Sequence, residues 1–65
     1  MMDKQMIHDI LNKLKDGELH EYYVAKEQFL PFRDVLVARE DFKHFRGIAK
    51  QGGHVVYRYL QEPRS

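Results

Sequence analysis

Two adjacent glycines, Gly52-Gly53, constrain this chain more than any other feature. Lacking a Cβ, they admit positive φ and let the backbone reverse, so the segments on either side are separate elements. After the break, Val55, Tyr57 and Tyr59 alternate with Val56, Arg58 and Leu60, the period of a strand. Before it, Phe42, Phe45, Ile48 and Ala49 recur at i, i+3, i+6 and i+7, which predicts a helix over residues 41–51. Lys43, His44, Arg46, Lys50 and Gln51 fill the rest of that helix's circumference. Gly47 weakens such a helix by about 1 kcal/mol relative to alanine. The same letters admit an alternative, with residues 44–49 and 54–60 forming a β-hairpin around Lys50–Gly53.

Upstream, Asp3 is placed to cap a helix carrying Met6, Ile7, Ile10, Leu11 and Leu14 on one stripe. Asp9 and Lys13 stand in the favoured i,i+4 order, Lys13 and Lys15 suit the dipole of the last turn, and Gly17 supplies a stop. This predicts a helix over residues 3–15. Glu21-Tyr-Tyr-Val24 admits the start of a longer helix running through Lys26 but favours a short strand, because the C-terminal strand needs a partner for its backbone groups. Residues 26–39 place Phe29, Phe32, Val35 and Leu36 on one helical face. Pro31 leaves two arrangements: it is the first residue of the helix, or residues 26–30 form a loose turn ahead of it. A buried strand over Val35–Ala38 is the alternative for the end of this segment. Pro63 ends the last strand, and Arg64-Ser65 is a tail.

A chain of 65 residues forms one domain, residues 1–65, and buries only about 60% of its unfolded surface, so its core is thin. Four Phe and four Tyr supply the area such a core needs. The absence of cysteine removes disulfides and thiolate metal sites and suits a reducing compartment. No apolar run reaches the length of a signal peptide or membrane span. The expectation is a cytoplasmic protein with no membrane contact. Charge is uneven: residues 1–40 hold six Lys/Arg against eight Asp/Glu, and residues 41–65 hold five against two. A positive end on a neutral body orients a molecule toward phosphates or toward an acidic protein.

The order helix, short strand, helix, helix, glycine break, strand resembles the winged helix-turn-helix superfamily. The resemblance spans residues 3–60 and is architectural. It implies an α+β fold of three helices with a small two-stranded antiparallel sheet. It also implies a recognition helix at 41–51, with a wing turn at Gln51–His54. On it, double-stranded DNA is the partner, and Lys43, His44, Arg46, Lys50, His54 and Arg58 form the nucleic-acid-binding set. Those residue types suit the task, since Arg and Lys bridge guanine acceptors or neutralise phosphates. Read structurally, Lys43, Arg46 and Lys50 are the solvated side of an element whose other side is core. Tyr57 and Tyr59, with Tyr22-Tyr23 on a neighbouring strand, offer either faces for stacking single-stranded bases or cross-strand pairs that hold a small sheet together.

Enzyme chemistry finds little support here, and the expectation is a protein that is not an enzyme. His8, His20, His44 and His54 show no metal-ligand spacing, Ser65 is the one serine, and Thr and Cys are absent. No cofactor motif is present, since Gly52-Gly53 lacks phosphate-loop spacing. The competing reading is a small adaptor or inhibitor that grips a protein partner through aromatics its core leaves exposed, with homodimerisation as the simplest form.

Overall fold

The computed structural model describes residues 3–62. Helix α1 spans Lys4–Asp16, strand β1 Tyr22–Val24, helix α2 Phe29–Val37, strand β2 Phe45–Ala49 and strand β3 Val55–Tyr59. Single 3₁₀ turns at Lys26–Gln28 and Phe42–His44 lead into α2 and β2. The strands make one antiparallel sheet in the order β1-β3-β2, so the last strand in sequence is the central one.

Helix α1 begins and ends as its sequence predicts. The Asp3 carboxylate accepts from the Met6 N–H at 2.8 Å, and Gly17 closes the helix at φ +85°. Ile7, Leu11 and Leu14 form its buried stripe. Asp9 takes its i,i+4 hydrogen bond from Gln5 (3.1 Å) rather than from Lys13. In α2, Pro31 is the third helical residue, where an N–H has no intrahelical partner to lose. The structure matches neither arrangement in full: a 3₁₀ turn does precede the helix, but it covers Lys26–Gln28, and the helix begins at Phe29, two residues ahead of the proline. Phe32, Val35 and Leu36 face inward, so this segment contains no strand.

The expected three helices and two-stranded sheet are corrected to two helices and three strands, within the same α+β class. The segment predicted as a helix over 41–51 makes one 3₁₀ turn and then enters the sheet. Helical spacing of Phe42, Phe45 and Ile48 competes there with a second pattern, in which Phe45, Gly47 and Ala49 alternate with Arg46, Ile48 and Lys50. The second pattern prevails because it has a partner. Strand β3 pairs along all of β2, from Phe45↔Tyr59 to Ala49↔Val55. Gly47 costs a helix stability but suits this strand, because a Cβ there meets the Tyr57 ring at 3.1 Å and Val55 Cγ1 at 3.2 Å. The three-residue Gln51–Gly53 turn closes the hairpin with Gly52 and Gly53 at φ +84° and +86°. Lys50 N–H donates to His54 C=O across it at 2.8 Å. The alternative hairpin reading is therefore the observed structure. The stop assigned to Pro63 and the tail Arg64-Ser65 lie outside the described residues.

Both helices cover one face of the sheet. Phe32 is wholly buried, stacked between Tyr57 (5.1 Å between centroids) and Tyr22 (6.0 Å). Phe45 meets Tyr59 edge-on at 5.1 Å. Arg39 ties the end of α2 to α1. Its guanidinium donates to Asp41 (2.9 and 3.1 Å), to Asn12 Oδ1 (2.9 Å) and to His8 Nδ1 (3.2 Å), and lies over the Phe45 ring. The hydrogen bond from Arg39 holds the Asp41 carboxyl below its ordinary range. Burial raises the Tyr57 hydroxyl above its ordinary range.

Candidate binding face

With Tyr22, Val24, Phe45, Val55, Tyr57 and Tyr59 turned toward the helices, strand alternation sends their neighbours to the other side. That side carries no helix. The register lays it out in rows. Tyr23, Val56 and Ile48 form an apolar row across β1, β3 and β2. Val56 is only 7% exposed between its two neighbours, while Tyr23 is 55% exposed and is the one Phe or Tyr among the described residues given largely to solvent. On one side of this row Arg58 and Arg46 stand opposite each other. On the other side His54 and Lys50 face each other at the hairpin end.

The cations on this face are unevenly satisfied. Glu21 pairs with Arg58 at 2.9 Å, in an exposed bridge that contributes little to stability. Arg46 and Lys50 have no ion pair among the described residues. Like charges directly opposite on adjacent strands are unfavourable, so Arg46 across from Arg58 works against the sheet. A bound anion would relieve that repulsion.

The six residues expected at a nucleic-acid site separate into two groups. Arg46, Lys50 and Arg58 gather on the open face, exposed, with His54 at its end. His54 is occupied structurally: its Nδ1 accepts from the Lys26 N–H at 3.2 Å, and its ring lies 5.0 Å from Tyr23. His44 is also tied down, donating from Nδ1 to the Leu60 carbonyl at 2.9 Å and stacking on Tyr59. Lys43 is exposed on the 3₁₀ turn before β2. The assignment of these residues to a recognition helix is corrected, since Arg46 belongs to strand β2 and Lys50 follows its last residue, neither of them on the outer side of a helix. Tyr23 lies outside those six; the sequence grouped it with Tyr22, Tyr57 and Tyr59 as a stacking or cross-strand aromatic and did not separate it from the three that turn to the core. Its signal was parity, because Tyr22 pairs with Tyr57 on the core side and the next residue must point away.

No group of three or more His, Asp or Glu side chains suited to a metal is present among the described residues. No helix among them is long and apolar enough to cross a membrane.

A family model described as YkzS-like protein matches residues 4–58, from the first residue of α1 into β3. The match covers most of the chain and takes in both helices and nearly the whole sheet, and the chain belongs to this family. Comparison with curated proteins and with solved structures gave no match.

Proposed function

We propose that this member of the YkzS-like family is a small binding module whose open sheet face takes single-stranded nucleic acid. The observation that carries the reading is the apolar row Tyr23–Val56–Ile48 with cations on both sides of it, Arg58 and Arg46 on one and Lys50 on the other. An exposed aromatic ring flanked by Arg and Lys provides the two contacts a single strand needs, base stacking and phosphate neutralisation. Arg46 in β2 and Lys50 just past its end are four residues apart, about 13 Å at strand rise, so they reach different phosphates of one strand. A duplex fits this face less well, because its bases are already stacked and no helix is offered to its major groove.

The test is fluorescence anisotropy of a labelled oligothymidylate at several salt concentrations. Three cations predict a log–log salt slope of about −2, falling by about 0.7 for each of Arg46→Ala and Lys50→Ala. Tyr23→Ala removes a stacking partner worth about 1–3 kcal/mol and leaves the slope unchanged. Absence of binding at low salt, or a preference for duplex that ignores Tyr23→Ala, would overturn the reading.

A further inference from the structure

The free edge of β2 is a second surface, separate from the open face. Lys50 N–H donates to His54 C=O and Leu60 N–H donates to His44 C=O, which makes 50/54 and 44/60 hydrogen-bonded pairs. Antiparallel alternation then directs the backbone groups of Arg46 and Ile48 to β3 and those of Gly47 and Ala49 outward. Neither Gly47 nor Ala49 finds another backbone or side-chain partner for these groups among the described residues. Both residues are exposed and small, so no side chain of their own shields the edge.

Beside that edge lies a groove of about 400 Å³ between β2 and α2. Its walls are Phe29, Leu36, Val37, Phe42 and the inward side of Gly47 and Ala49, with Arg33 as its one charged residue. Val37 is 44% exposed there. An unpaired backbone edge beside an apolar groove is the geometry that accepts an extended peptide as an added strand. Alternate side chains of such a strand enter the groove, and the others emerge on the side of Arg46 and Lys50.

Charge decides the occupant. Arg33, Lys43, Arg46 and Lys50 surround the edge, and none has an ion pair among the described residues. Asp41, the nearest acid in sequence, is held by Arg39. A second copy of this chain pairing β2 with β2 would bring two such cationic sets together, which is unfavourable. We infer that the β2 edge binds an extended peptide segment of a partner protein in which apolar residues alternate with acidic ones. The inference shares Arg46 and Lys50 with the nucleic-acid reading but rests on the edge backbone of Gly47 and Ala49, which that reading does not use.

Two fluorescein-labelled heptapeptides test it, one alternating valine with glutamate and one alternating valine with lysine. The glutamate peptide is expected to bind at least about tenfold more tightly, the equivalent of one charge-assisted hydrogen bond. On binding, hydrogen exchange at the Gly47 and Ala49 amides slows. Lys50→Glu, on the side where the acidic side chains emerge, should narrow the preference, and Ala49→Leu should block binding by filling the groove. Equal binding of the two peptides, or unchanged exchange at Gly47 and Ala49, would overturn the inference. So would protection of these amides by protein concentration alone, which would make a second copy the occupant. An oligonucleotide on the open face leaves both amides exchanging as before, so the two readings fail separately.

Discussion

The two faces of the sheet divide the labour of this molecule. The helix-covered face holds Phe45 and Tyr57, with Phe32 of α2 packed against it, all at 5% exposure or less, and is responsible for stability. The open face holds Tyr23, Arg46 and Arg58, exposed and in part mutually repelling, and contributes little to it. In a chain this short, little area is left over, and the proposed function is what gives the open face a use.

Substitutions should separate the faces sharply. Phe32→Ala removes the ring stacked between Tyr57 and Tyr22 and should cost about 3–5 kcal/mol, enough to populate the unfolded state in a domain this small. Urea titration followed by far-UV circular dichroism reads this directly. Gly47→Val also acts on the covered face, pressing on Tyr57 and Val55, and should cost about 1–3 kcal/mol by the same measurement.

The Arg39–Asp41 pair provides a pH-dependent test of the covered side. Asp41 titrates lower in the folded chain than in the unfolded one. Its stabilising effect is therefore complete above the unfolded value and lost as pH falls through the folded one, below about pH 4. Asp41→Asn should lower stability at neutral pH and flatten the acid limb of a stability–pH curve, with the two proteins converging at low pH. The smallest effect belongs to the open face. Arg46→Ala should change stability by less than about 0.5 kcal/mol, with a gain more consistent with its position opposite Arg58 than a loss.

How far the sequence reveals this depends on how local each signal is. Helix α1 is readable end to end because its stripe, its Asp3 cap and its Gly17 stop are all local. Strands β1 and β3 follow from β-branched and aromatic content. Segment 42–49 is the exception, since its apolar residues satisfy two periods at once and the choice rests on β3, a contact made across the turn. Gly47 was the discriminating letter, a liability in a helix and a requirement beneath Tyr57. The candidate site inherits that difference. Its cations are evident in composition, but their gathering on a sheet face depends on register. The groove beside β2 depends on where α2 packs, which no local pattern specifies.

The most direct test of the division between faces is a two-dimensional amide NMR titration of the labelled protein with oligothymidylate at low salt. The account predicts shifts concentrated at Tyr23, Arg46, Ile48, Lys50, Val56 and Arg58, fading as salt is raised, with the α1 and α2 amides unmoved. Shifts centred on the helices, or a spectrum that does not move at low salt, would contradict it.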